Sequence, residues 1–229
     1  MNWPPSPLGN LFSRLEKAYG RPVPTPFAGP FEMVLWEIVG YLGDDVRRAS
    51  AFEMLRNAVG LTPEKILAAP VTRLTHIAHA GGSIAYQERA QRMQDAARMA
   101  LRDFDGDLNK ILKLPQARAR KVLMEYPMVS EPDAEKILMY FGAMPVLALE
   151  SNGVRVLARN GFGEERKSYA MTYKSVREAT AGQLPENPEL LTAAYLLSKR
   201  LGQERCHRAA PECRGCPLGW DCRSANIVG

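Results

Sequence analysis

Apolar positions along this chain recur mainly at three- and four-residue steps, the period of a helix with one buried face. Phe31, Val34, Leu35, Ile38, Leu42, Val46, Phe52 and Leu55 predict one long helix over residues 31–55, and Pro30 suits its first turn. Further helices are expected at 63–69, with Thr62 as cap before Pro63, and at 71–79, 84–104, 108–113, 116–124, 132–141 and 188–201. No stretch alternates apolar and polar residues for long enough to predict a strand. The proline-rich residues 3–30 read as an extended arm over the surface with a short helix near 8–18, and residues 183–188 read as a turn. The chain has no internal repeat and no low-complexity tract. The fold class is all-α.

Composition adds little to this picture. With 229 residues, 46% of them hydrophobic, the chain can bury a substantial core in one two-lobed domain or two small ones. No apolar run approaches the ~20 residues that cross a bilayer, so no membrane association is expected. The net charge of +5 favours polyanions only modestly. The first residues, MNWPPSPLGN, have neither a basic start nor an apolar core, so no export signal is visible and a cytoplasmic protein is expected.

The cysteines change the picture. All four lie in the last 24 residues, at Cys206, Cys213, Cys216 and Cys222, spaced C-x6-C-x2-C-x5-C. Such soft sulfur ligands select zinc, copper(I) or iron–sulfur clusters; two small disulfides would need an oxidising compartment. A zinc ribbon offers two C-x-x-C hooks, whereas this chain has only Cys213–Cys216, flanked by wider gaps that suit a larger cubane. Zinc stays open on chemistry alone. The spacing resembles the C-terminal [4Fe-4S] loop of the endonuclease III and adenine-glycosylase superfamily of DNA repair enzymes. The resemblance implies a [4Fe-4S] cluster on the four cysteines. It also implies phosphate contacts from the basic residues among them, Arg205, His207, Arg208, Arg214 and Arg223, with Arg208 and Arg214 as the chosen DNA-binding pair.

The likeness extends upstream. Residues 149–162, LESNGVRVLARNGF, match without a gap the family stretch V-D-T-H-V-x-R-V-L-x-R-L-G-L. The resemblance puts Glu150 at the catalytic aspartate, with Ser151 and Asn152 replacing the threonine and histidine beside it at the DNA. A helix cap without chemistry is the other reading of Glu150. Residues 126–134, YPMVSEPDA, fall on the family's hairpin L-P-G-V-G-R-K-T-A, so Met128, Val129 and Ser130 are implied DNA contacts although both glycines are gone. Pro132 stands at the lysine that attacks the sugar in lyase-competent members, and proline has no amine. Lys136, one turn on, is a substitute nucleophile or simply part of a solvated helix face.

Residues 31–46, FEMVLWEIVGYLGDDV, align without a gap to the family's F-E-L-L-I-A-V-L-L-S-A-Q-A-T-D-V. There Leu42 matches the glutamine that fills the hole left by an extruded base; it is a wedge or a core residue. Glu37 lies one place from the catalytic glutamate of adenine glycosylases and is a pocket candidate, the alternative being an ion pair with an arginine. His76 and His79 read as packing or surface residues, and no aromatic is assigned a role.

The resemblance therefore implies a two-lobed helix-hairpin-helix glycosylase fold, with an arm at 1–30, a helical barrel at 31–130 and a cluster-bearing lobe at 131–229. DNA would bind across the cleft with Glu150 at its floor. The expected protein is a monomeric DNA glycosylase of base excision repair, nucleoid-associated if bacterial, that acts on double-stranded DNA and lacks the lyase step. Two alternatives stand beside it: a catalytically degenerate iron–sulfur protein that binds distorted duplex, and one whose cluster oxidation tunes DNA affinity.

Overall fold

The computed structural model describes residues 2–225, and among them it is helical with no strand. The helices are α1 (Pro7–Tyr19), α2 (Pro30–Val39), α3 (Asp45–Ala58), α4 (Pro63–Ala68), α5 (Val71–Ala80), α6 (Tyr86–Phe104), α7 (Gln116–Leu123), α8 (Glu131–Tyr140), α9 (Ser151–Arg159), α10 (Tyr169–Thr180) and α11 (Pro188–Glu204). Residues Leu108–Lys113, expected as helix, form a tighter 3-10 segment. The chain forms two compact units, one of Met1–Thr25 with Gly142–Gly229, the other of Pro26–Phe141. The second boundary thus lies beyond the hairpin and its second helix.

In the first unit, α11 packs on α9 and α1, and α9 on α10. Residues 3–30 are not merely a surface arm. Ser6 caps α1 through Gly9 N–H, and Leu8, Phe12 and Leu15 are fully buried, so the N-terminal helix supplies core to a unit otherwise built from the C-terminal part of the chain. Ser6 and Leu8 are tied to Gln183, across 177 and 175 residues of sequence. Helix α10 has no counterpart in the sequence reading: its buried positions are Thr172, Tyr173, Val176 and Thr180, and two threonines weaken the apolar signal.

In the second unit, α6 packs on α2, α4 and α5. The helix expected over residues 31–55 is broken into α2 and α3 by a loop at residues 40–44. Leu42 adopts φ +56°, a left-handed conformation that ends a helix. Leu42 and Val46, expected on the apolar face, are 67% and 80% exposed, which removes the core reading of Leu42. The loop is held tightly: a Cβ on Gly43 would lie 2.3 Å from the Gly81 carbonyl oxygen, and one on Gly81 would lie 2.0 Å from that of Val39.

Arg89, on α6, fastens this corner. It is wholly buried and donates to the Val39 and Ala78 carbonyls at 2.6 Å each, and to the Gly82 carbonyl. Its guanidinium therefore satisfies carbonyls at the ends of α2 and α5, where helices leave acceptors without partners. Burial, with the like charge of Arg48 adding to it, pulls the Arg89 guanidinium below its usual range. Arg89→Met should fill similar space but strand three carbonyls, destabilising the protein by about 3 kcal/mol or more. Urea unfolding monitored by circular dichroism would measure this, and a midpoint unchanged from wild type would refute the role.

Candidate active site

The first unit carries Glu150. The sequence E-S-N-G before the apolar V-R-V-L starts a helix, and Glu150 is its N-cap: the side chain accepts from Gly153 N–H at 2.8 Å. The other carboxylate oxygen accepts from Asn152 Nδ2 at 2.8 Å. Asn152 Oδ1 in turn accepts from Arg155 Nη2 at 2.6 Å, and Arg155 also donates to the carbonyls of Cys206, at 2.6 Å, and Gly202, at 2.9 Å. A continuous run of hydrogen bonds thus leads from the Glu150 carboxylate to the backbone of the first cysteine. Gly202 permits the approach, since a Cβ there would lie 2.6 Å from Asn152 Cβ. Ser151, in contrast, is exposed.

Arg159, one turn further along α9, completes the attachment. It donates to the His207 carbonyl at 2.7 Å, to the Arg208 carbonyl at 2.9 Å and to Cys206 Sγ at 3.3 Å. Cys222 Sγ lies 3.5 Å from the Arg159 carbonyl. All four cysteines are free thiols, and together with Arg159, Asn160, Leu201 and Gly219 they line one cavity. Burial, and after it the nearby sulfurs of Cys206, Cys222 and Cys213, push the Cys216 thiol up, although a backbone hydrogen bond at Leu218 opposes them. Among the described residues, no three His, Cys, Asp or Glu side chains gather closely enough to hold a single metal ion. Arg208 and Arg214 are exposed on the loop.

The second unit carries the hairpin and Glu37. Helices α7 and α8 are joined through Met128, which adopts φ +61° at the implied glycine position. A left-handed methionine costs ~1 kcal/mol or more, and buried Val129, with Tyr126 2% exposed beside it, anchors the turn. Burial also raises the Tyr126 phenol well above its ordinary value. Pro132 falls in the first turn of α8, where its missing N–H is no loss. Ser130 donates through its N–H (3.1 Å) and hydroxyl (2.5 Å) to Asp133. The N-terminus of α8, where the resemblance implies room for a phosphate, is already covered by Asp133 and flanked by Glu131, itself paired with Arg120 at 2.8 Å.

Lys136 is not on a solvated face. Its side chain is 8% exposed, with Nζ 2.8 Å from Glu37 Oε1 and 2.9 Å from Asp133 Oδ1. Glu37 Oε2 stands 3.3 Å from Arg48 Nη1, the arginine pairing anticipated, but Lys136 is the closer partner. Burial pushes the neighbouring Tyr140 phenol up to about 12, with Lys136 pulling against it and Glu37 adding. The participation of Asp133 was readable in Ser130-x-x-Asp133, a capping box. Nothing local signals Arg48 or Lys136, which reach Glu37 from 11 and 99 residues away.

On the same unit, the loop bearing exposed Leu42 abuts the loop at Gly81 and Gly82, and Ile84 just beyond is 50% exposed. His79 packs edge-on to Tyr86 at 4.7 Å between ring centroids, in keeping with a packing residue.

Solved structures match this architecture. Endonuclease III in a trapped covalent DNA intermediate, an estranged-adenine complex, matches with a TM-score of 0.74 at 20% identity, over 95% of this chain and 94% of that one. A non-covalent endonuclease III–DNA complex matches with a TM-score of 0.75 at 20% identity, over 96% and 95%. H. pylori 3-methyladenine DNA glycosylase (MagIII) bound to 1,N6-ethenoadenine gives 0.63 at 18% identity, over 83% of this chain and 94% of its own. No protein-family model matches the sequence, and no curated protein does. The chain has the helix-hairpin-helix DNA glycosylase fold.

Burial alone would raise the Asp133 carboxyl, but Lys136 and the hydrogen bonds from Ser130 outweigh it and hold the group below its ordinary value. Its ionised form therefore stabilises the folded state above the unfolded pKa of about 3.9, and this is lost as pH falls through the lower folded value. Asp133→Asn should lower the urea midpoint clearly at neutral pH and much less near pH ~3, where the wild-type advantage is fading. Equal losses at both pH values would count against the pairing.

Proposed function

We propose that this protein is a DNA glycosylase that removes a damaged or mispaired base by carboxylate-assisted hydrolysis and does not cleave the strand. The observation that carries the reading is the placement of Glu150. Its two oxygens accept one hydrogen bond each, from Gly153 N–H and Asn152, which fixes the carboxylate's direction. An ionised carboxylate has about four lone-pair sites, so each oxygen retains one for a water or for the developing charge of the sugar. As the base leaves, positive charge grows on the sugar ring; a fixed carboxylate stabilises that state and orients or deprotonates the attacking water. Support for the substrate class comes from endonuclease III, which shares the fold and is captured on DNA.

The absence of a lyase step rests on Pro132 and on Lys136. Proline has no amine to attack a sugar, and Lys136 is held by two carboxylates, in which ionic state it is no nucleophile. Glu37 is assigned to the pocket as a positioning group beneath that lysine. Leu42, exposed and left-handed, is the wedge for the stack vacated by the extruded base, with Ile84 beside its loop. Phosphate contacts are assigned to Arg208 and Arg214, and duplex approach to Ser151, Asn152 and the hairpin at Met128 and Ser130, with buried Val129 offering only its backbone.

The four thiols fit a [4Fe-4S] cluster. They surround a common cavity, and the donor set is wholly soft sulfur. Cys206, Cys213, Cys216 and Cys222 would hold it; when bound it supplies a covalent cross-link that closes the loop. A second reading is favoured by one observation: Glu150 caps α9 with both oxygens engaged, which suits a protein that binds distorted duplex and has lost chemistry.

Protein purified without oxygen should be brown and contain about four irons per chain by elemental analysis; one zinc and no iron would overturn the cluster assignment. Glu150→Gln keeps size and hydrogen bonding but removes the charge, so the single-turnover rate of base release should fall ~100-fold or more while duplex affinity stays near wild type. Wild-type product should be an intact abasic strand that breaks only with alkali, and borohydride should trap no protein–DNA adduct. A trapped adduct would defeat the hydrolytic reading, and equal inertness of wild type and Glu150→Gln on every lesion would favour the binding-only protein.

A further inference from the structure

Trp220 is 90% exposed, a large apolar ring held in solvent within the cysteine loop. Its display is not the result of a slack segment, because the chain is tied down on both sides. Leu218 is 2% exposed, Cys222 is 9% exposed, and Gly219 N–H donates to the Cys216 carbonyl at 3.0 Å. Arg14, from α1, donates to the Pro217 carbonyl at 2.9 Å and pairs with Asp221. The backbone therefore carries Trp220 outward at a fixed place.

The charges of the loop that carries it select the partner. Arg208, Arg214 and Arg223 are exposed on this loop. Of the loop's two acids, Asp221 pairs with Arg14. An exposed aromatic face on a loop that also displays three arginines complements a nucleic acid whose bases are open to stacking. Paired bases inside a duplex are stacked on one another and offer no face, whereas an unpaired base does.

We propose that Trp220 is a stacking platform for an unpaired DNA base adjoining the duplex. The inference rests on the reading that this protein binds DNA, and deepens it by naming the DNA structure this loop prefers.

The test uses the full chain and three fluorescein-labelled DNAs: a blunt duplex, the same duplex with a short single-stranded thymidine overhang, and the single strand alone. Because Trp220 is exposed, Trp220→Ala should fold normally, which its circular dichroism would confirm. Trp220→Ala should weaken binding to the overhang duplex by about tenfold, in line with stacking on one base, and to the blunt duplex by about twofold or less. Trp220→Phe should recover most of the overhang affinity. If wild type binds DNA and Trp220→Ala binds the overhang duplex equally well, this inference fails and the DNA-binding reading stands. Equal losses on blunt and overhang duplexes would also overturn it, since the ring would then not distinguish an unpaired base. If wild type binds none of the three DNAs, both readings fail.

Discussion

Two arginines on successive turns of α9 organise the C-terminal unit. Arg155 and Arg159 donate to the carbonyls of Gly202, Cys206, His207 and Arg208, the point where α11 ends and the cysteine loop begins. A helix end leaves carbonyls without partners, and a guanidinium, with five donors in a rigid fork, meets several of them at once. The same fork of Arg155 reaches Asn152 and through it Glu150. Arg155 thus links the direction of the carboxylate to the path of the loop. A lysine in its place could hold one of these groups but not all of them in fixed geometry.

The second unit solves a different problem with buried charge. Glu37, Lys136 and Asp133 form a run of ion pairs in which Glu37 on α2 and Lys136 on α8 are nearly excluded from water and Asp133 is partly exposed. Burying such charges is costly unless each finds a partner, and here each carboxylate meets at least one cation. The run joins the interior of α2 to Ser130 at the tip of the hairpin, because Asp133 serves both Lys136 and the helix N-terminus. Displacing Asp133 from Ser130 would therefore alter the surroundings of Lys136 and Glu37.

Much of this was legible in the sequence where the signal was local or periodic. The helices at residues 63–68, 71–80, 116–123 and 188–204 follow from caps, prolines and apolar spacing. The cysteine spacing and residues 149–162 pointed to the fold that the solved structures share. Periodicity failed where apolar residues are displayed rather than buried. Leu42 and Val46 continued the pattern of α2 by type, yet they face solvent beyond a left-handed break. It failed again for Lys136, whose neighbours in sequence suggest an amphipathic helix but whose partner Glu37 is 99 residues away. Long-range charge pairing leaves no trace in local spacing.

The hairpin shows how shape and chemistry can part. Glycine is the usual choice for a left-handed turn because it lacks a Cβ, yet Met128 holds φ +61° with Val129 and Tyr126 buried behind it. Packing has replaced conformational freedom as the reason for the turn. The chemistry has moved the other way. A helix N-terminus attracts an anion through its free N–H groups and dipole, and in α8 that place is taken by Asp133 while Glu131 stands beside it. A phosphate arriving there would meet two carboxylates and would have to displace one of them. For a DNA-binding chain, that constraint shifts the burden of phosphate contact away from the hairpin and onto basic loops such as the one where Arg208, Arg214 and Arg223 are exposed.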